Sequence, residues 1–436
     1  VSTTGSPAAA LQPTPQAAGR LYRRNYIAYS IEGITFGVGA AFLDVGTLLP
    51  TIVQSLGGPL WLVSLVPMLG QVASAPASVL SLPIVERLRR YSPYVQAMML
   101  LQRGPYLLAG LALLMASSNP MLAVLAVAMA PILSGIGGGL CGNGWVNLMM
   151  VTVPPQRRSS LLAIRMAGSA LGGAGVSALA GWILLVNPGP GGYATLHLLC
   201  FGCMAISTLS FLLVRDPPHV PTHHTGELMD SWRRMFSSIL HDGTFRTYVA
   251  SRFFGCGVYM LMAFLAIHAR AVLGEDESYV ARLLLFQVLG SLGGNLLAGF
   301  IGDRVGGKAT TTIGTFVFLA AAALAAVASS HAAFGVLFVL TGFAMPTMLV
   351  GAFAMGTEMC PPGRRAAYWA MMSISSTPAM LLASWASSTM WQWKVGIWPL
   401  AAAAATTQII SLLLLLRVPD PRRWARAAAA SDGTAA

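Results

Sequence analysis

The chain has 436 residues, 56% of them hydrophobic and 9% charged, with a net charge of +12 and a mean hydropathy of +0.69. A water-soluble protein clothes itself with about 25% charged residues, so this composition excludes a soluble enzyme and, despite the surplus of cations, a nucleic-acid-binding protein. Disorder requires low hydrophobicity and is excluded too, which leaves a membrane protein that crosses the bilayer many times.

In chain order, residues 1–24 are rich in Ala, Pro, Thr and Gln and read as a disordered tail, without the apolar core and cleavage site of a secretory signal. Val1 in place of Met is what a literally translated alternative start codon gives, which points to a bacterial gene. A span needs ~20 largely apolar residues. The runs between turn-forming Gly, Pro and Asn predict twelve, at 26–53, 60–84, 94–116, 121–150, 160–186, 195–214, 247–273, 279–302, 309–329, 332–358, 366–388 and 396–416. The longest polar stretch, 215–245, is expected to be a linker. Its apolar residues from Leu228 to Leu240 share one face of an amphipathic helix lying on the membrane.

Twenty of the 26 Lys and Arg residues fall in the tails, the linker and alternate loops, whereas the opposite loops hold Lys394 and the acidic run Glu275–Glu277. Basic loops stay inside, so both termini are expected in the cytoplasm and the surplus charge belongs to the inner membrane surface. The chain also repeats itself. Pro154-Pro155-Gln156-Arg157-Arg158 returns 207 residues later as Pro361-Pro362-Gly363-Arg364-Arg365, and Glu86-Arg87 returns 217 residues later as Asp303-Arg304. The expectation is an all-α membrane protein of twelve transmembrane helices in two pseudo-symmetric six-helix bundles, 25–214 and 246–418, with a linker at 215–245 and a second tail at 419–436. Paired halves of this kind are a transporter architecture with substrate handled between them.

The five cysteines lie in or beside apolar runs, and an odd number within lipid gives no disulfide framework. Cys200-x-x-Cys203 reads as two small apolar residues. His219, His223 and His224 lack carboxylate or thiol partners at fixed spacing, so neither a metal nor another cofactor is expected.

The loop after the eighth span contains Gly299, Asp303, Arg304, Gly306 and Lys308 in the order Gly-x-x-x-Asp-Arg-x-Gly-x-Lys. It resembles the signature loop of the major facilitator superfamily, at the place in a half where that family carries it. Glu86, Arg87 and Arg90 form a degraded first-half copy, with Leu82 and Arg89 at the glycine positions. The resemblance implies that the loop acts as a latch between the halves, with Arg304 pairing with Glu358. The fifth span, with Gly168, Gly172, Gly173 and Gly175, resembles the glycine-rich motif of the family's antiporters, without the proline that follows its central glycine. The arginine common in the fourth span of proton-coupled members is absent from the stretch Pro131–Gly139.

A charge inside a span costs at least ~2.5–3.5 kcal/mol on insertion scales, so each is a functional candidate. The first span holds Glu32 and Asp44, the third Arg103 and the fifth Arg165; neutral amides join them at Asn143 and Asn147 in the fourth span and Gln287 and Asn295 in the eighth. Glu32 and Asp44 stand about 18 Å apart at ~1.5 Å per residue, so they cannot form one paired-acid site. One reading is a polar cavity in which Asp44 or Glu32 exchanges a proton while Arg103 and Arg165 meet an anionic group. The other is structural, with salt bridges such as Glu32–Arg165 joining spans.

The function expected from the sequence is secondary active transport by a monomer in a bacterial inner membrane: export of a small, fairly hydrophobic drug or metabolite in exchange for protons, through an apolar lining rich in Met. Uptake of an organic anion or nutrient is the alternative within transport. A membrane-embedded enzyme would need an acid–base or nucleophile constellation at a membrane face, and a sensor would need an output domain. The expected partners are a small-molecule substrate, protons and membrane lipids.

Overall fold

The computed structural model describes residues 15–116, 118–216, 241–359, 365–394 and 396–421, and the regular structure in them is helical. The first span is Pro15–Ala41 followed by Leu48–Ser55, and the second is Leu60–Leu65, a 3-10 turn at Val66–Met68 and Leu69–Glu86. The third to sixth are Ser92–Leu114, Pro120–Thr152, Pro155–Val186 and Pro190–Phe211. The seventh is Gly243–Gly255 with Val258–Leu273, and the eighth to twelfth are Tyr279–Arg304, Gly307–Ala325, His331–Met359, Arg365–Gln392 and Trp398–Arg417. Among the described residues, ten of these runs are long and apolar enough to cross a membrane. The first and eleventh fall outside that set: one carries Glu32 and Asp44, the other a series of serines from Ser375 to Ser388. Several of those hydroxyls satisfy themselves on their own helix, as Ser375 Oγ donates to Met372 O and Ser387 Oγ to Ser384 O, while Ser384 Oγ meets Ser64 Oγ of the second span.

Two expectations need correction. Helix begins at Pro15, so residues 15–24, expected in the tail, are helical. The first span is broken at 42–47 instead of running through 26–53, and the seventh is broken at Cys256–Gly257. Each break falls in the first span of its half. The amphipathic linker helix, the three linker histidines, Cys360, most of the Pro361–Arg365 loop and the tail beyond 421 lie outside the described residues. Cys141, Cys200, Cys203 and Cys256 are free thiols.

The repeat is written into the packing. The first span packs on the fifth and sixth, the second on the fourth, and the third on the fourth and sixth; the seventh packs on the eleventh and twelfth, the eighth on the tenth, and the ninth on the tenth and twelfth. Small residues set how closely these helices approach. A Cβ on Gly37 of the first span would stand 2.2 Å from Ser169 Oγ of the fifth, and one on Gly172 of the fifth would stand 2.2 Å from Val38 Cγ2 of the first. The glycine-rich fifth span is therefore a close-packing face. Gly135 of the fourth span meets the Gly70 carbonyl in the same way, and Gly290 of the eighth meets that of Val339.

Polar side chains tie the helix ends on the face that bears the termini. Asp216, just past the sixth span, accepts from Tyr91 N at 2.7 Å and from Ser92 Oγ at 2.6 Å, satisfying donors at the start of the third. In the other half Lys308 Nζ donates to Leu416 O at 3.0 Å and Val418 O at 2.7 Å, at the carbonyl end of the twelfth. Gly306, with φ 105°, makes the turn into the ninth span in a backbone region that side chains disfavour.

Candidate functional site

Glu32 sits at a junction of three spans. Arg103 Nη2 donates to its Oε1 at 2.7 Å, and Arg165 Nη1 donates to its Oε2. The same Arg165 nitrogen donates to Tyr29 O at 2.6 Å, and Arg103 Nη1 donates to Thr208 Oγ1 at 2.9 Å on the sixth span. Phe36 stacks beneath the Arg103 guanidinium at 5.3 Å and Trp145 beneath that of Arg165 at 4.9 Å. Gly33 permits this arrangement, because a Cβ there would lie 2.3 Å from Arg165 Cζ. The side chains of Glu32 and Arg103 are 4% and 2% exposed, and that of Arg165 is 16% exposed. One carboxylate thus neutralises half of a two-cation cluster. The structure brings together three of the four charges singled out in the sequence and leaves Asp44 apart.

Near this cluster both halves also flank a central cavity of about 460 Å³. Its polar walls come from the second, third, fourth and eleventh spans: the carboxamides of Gln71 and Gln102 and the hydroxyls of Ser74, Ser134, Ser376 and Thr377. Among the described residues that line it, Arg252 of the seventh span is the sole charged side chain. The lining expected from the sequence is apolar and rich in Met; the cavity has Val45, Pro131, Leu349, Phe353, Met372 and Met380 beside its polar groups. A smaller cavity of about 230 Å³ contains the Glu32 cluster and shares Gln102 and Gly138 with the central one.

The hydrogen bonds seen between the halves among the described residues sit at the level of the cavity or on the face opposite the termini. Ser64 Oγ and Ser384 Oγ are 2.9 Å apart, Thr47 Oγ1 donates to Gln287 Oε1 at 2.5 Å, and Tyr193 OH donates to Glu277 Oε2. Tyr259 OH donates to Gln71 Oε1 at 3.1 Å above the cavity. The pathway is closed on that side. Asp44 belongs to this closure: its Oδ1 accepts from Thr47 N at 2.8 Å and Gly46 N at 3.1 Å, holding the break in the first span, and its backbone carbonyl accepts from Leu48 N and Leu49 N, both at 3.0 Å, where the Leu48–Ser55 helix begins.

The remaining predicted residues separate by position. Asn143 Nδ2 donates to Ser78 O at 2.7 Å and Ser81 Oγ at 2.8 Å, binding the fourth span to the second. Asn147 is half-buried on the fourth span. Asn295 Nδ2 donates to Ser291 O at 2.9 Å and lines, with Gly299, a third cavity between the fifth and eighth spans. Arg304 is exposed and its guanidinium lies 3.8 Å over the Phe300 ring, while Glu358 is half-buried near the end of the tenth span. Arg87 and Arg90 are exposed, and the side chains of Glu86 and Asp303 lie outside the description. Gln71 and Tyr259 were not identified from sequence, and Arg252, near the start of the seventh span, reads there as a cation reaching to the headgroups, whereas it lines the central cavity. Single polar residues deep in apolar runs were the only signal of Gln71 and Tyr259. Among the described residues no group of three or more His, Cys, Asp and Glu side chains is placed to hold a metal.

The family model described as Major Facilitator Superfamily matches residues 103–293 and 247–435. No curated protein matches the chain. Among solved structures the nucleoside transporter NupG superposes with a TM-score of 0.65 at 12% identity, over 90% of this chain and 98% of its own. A D-xylose-proton symporter gives 0.63 at 16% identity, over 92% and 98%. The E. coli fucose:proton symporter FucP gives 0.62 at 14%, over 92% and 99%. At such identities the likeness is one of fold.

Proposed function

The chain belongs to the major facilitator superfamily of membrane transporters, and we propose that it carries a small organic anion through the cavity between its halves by alternating access. The observation that carries this reading is the charge of the lining. Arg252, Arg103 and Arg165 face the two adjoining cavities against one carboxylate, Glu32, which both neighbouring arginines already engage. Such a surface attracts anions and repels organic cations, and its carboxamides and hydroxyls suit a solute with hydrogen-bonding groups. This charge supports the organic-anion alternative over carriage of an organic cation.

We assign proton coupling to Asp44. Protonation weakens a carboxyl group as an acceptor, which loosens its hold on the Gly46 and Thr47 amides. The change reaches the other half through the adjoining Thr47–Gln287 bond. The experiment uses proteoliposomes with an imposed pH gradient and labelled organic sulfonates, which stay charged and do not cross protein-free bilayers. Wild-type protein should accumulate at least one of them in response to the gradient, and Asp44→Asn should retain exchange while losing that response. Gradient-driven accumulation unchanged in Asp44→Asn removes Asp44 from coupling.

A further inference from the structure

The fifth and eighth spans diverge. Opposite the termini they touch, such that a Cβ on Gly181 would stand 2.9 Å from Ala281 Cβ. Toward the terminus-bearing face they enclose a cavity of about 690 Å³, larger than the central one and within the ~300–1,000 Å³ usual for ligand sites. Its walls are apolar, formed by Val288, Leu292 and Val350 among others, and its rim carries Met166 and Leu296, which are 55% and 68% exposed. Neither is covered by protein, and both stand on helices long and apolar enough to cross a membrane. Polar groups gather on the inner side, where Arg165, Ser169 and Asn295 line the same space.

The three cavities adjoin one another. The space between the spans shares Phe36 and Arg165 with the cavity of the Glu32 cluster, which in turn shares Gln102 and Gly138 with the central cavity. Arg165 lies ten residues inside its helix and Asn295 nine residues from the end of its own, or roughly 15 Å below that face at ~1.5 Å per residue. A route with an apolar, lipid-facing mouth and a guanidinium at its inner end suits a molecule that is apolar along its length and anionic at one end.

We propose that the gap between the fifth and eighth spans is a lateral port through which a single-chain amphiphilic carboxylate passes between the bilayer and the central cavity, its head meeting Arg165 and its tail lying against Val288, Leu292 and Leu296. This rests on the anion reading above and names the class of anion. The port explains why apolar walls adjoin a cationic cluster: the chain stays in lipid-like surroundings until its head has reached a counter-charge, so no bare carboxylate crosses the apolar layer.

The test is photolabelling of the full chain in vesicles containing a sixteen-carbon fatty acid with a diazirine in its tail, followed by mapping of the labelled peptides. Labelling is expected in 166–173 and 288–299 and should be competed by palmitate. Hexadecanol, which lacks the charge, should compete about tenfold less well, the factor expected for losing a charge-assisted contact. Ala170→Trp, which puts an indole into the gap, should remove that labelling. Leu296→Trp at the exposed rim should reduce it if the first variant fails to fold. Labelling competed equally by palmitate and hexadecanol is ordinary lipid contact and overturns the port, as does labelling confined to the second, fourth and tenth spans. Exchange of a short organic anion by the same preparation separates the two ideas. If it persists without port labelling, the anion reading stands and the port falls; if it is also absent, both fall.

Discussion

Glu32→Gln is expected to destabilise the protein by ~3–5 kcal/mol, the usual consequence of breaking a buried ion pair by removing one partner. The substitution leaves two guanidiniums facing each other with their shared counter-charge gone. Arg103, almost wholly buried, would keep the Thr208 hydroxyl, and Arg165 the Tyr29 carbonyl. Neither acceptor carries charge. Thermal unfolding in detergent measures the loss, and a Glu32→Gln protein as stable as the wild type would show that the cluster does not hold the first, third and fifth spans together. The triple variant Glu32→Leu, Arg103→Met, Arg165→Met separates structure from function. Apolar groups of similar volume replace buried charge clusters at little cost or with a gain, so stability should return while anion transport does not.

Joining the halves on their closed side should stop transport completely. Ser64 Oγ and Ser384 Oγ lie 2.9 Å apart, and Ser64 Oγ also donates to Ser384 O at 3.0 Å, so the two β-carbons already face each other across the contact. Two cysteines there need only a small side-chain adjustment to reach the ~2.05 Å of a disulfide. Oxidation of Ser64→Cys/Ser384→Cys should reduce flux to that of protein-free vesicles, and a reductant should restore it. Each single variant should respond to neither reagent. Full transport by the oxidised, cross-linked protein would mean that the Ser64–Ser384 contact need not open, and alternating access through this closure would be wrong.

The spans and the repeat were legible because both rest on local signals. Apolar runs end at Gly, Pro and Asn wherever the backbone turns, and most observed helix ends fall within a few residues of those punctuation marks. The breaks in the first and seventh spans were not legible. Asp44 reads in sequence as an ionisable group within lipid, and only the fold shows its carboxylate turned onto the amides two and three residues ahead. The Glu32 cluster was half legible. Each buried charge announces that it needs a partner, but which of residues 32, 103 and 165 meet depends on which helices are neighbours. The cavity was the least legible part. Its wall takes one or a few polar residues from each of several spans, and none of them has a local pattern that distinguishes it from a polar residue satisfied by its own helix. Ser74, Gln102 and Ser376 acquire meaning only together. Lys308 had a local pattern, and there the fold adds a role the motif did not suggest: it holds the carbonyl end of the twelfth span.

The anion reading is tested most directly by counterflow, which needs no driving gradient and so isolates binding and translocation from coupling. Proteoliposomes loaded with an unlabelled compound would be diluted into the same compound carrying a label, across a series of organic anions, neutral polyols and organic cations, with wild-type protein and Arg252→Gln. Saturable exchange is predicted for an anion and not for the cations. Arg252→Gln should raise KM for that anion by about tenfold, as expected when one charged contact to the solute is lost. Saturable exchange of an organic cation, or anion exchange indifferent to Arg252→Gln, would contradict it.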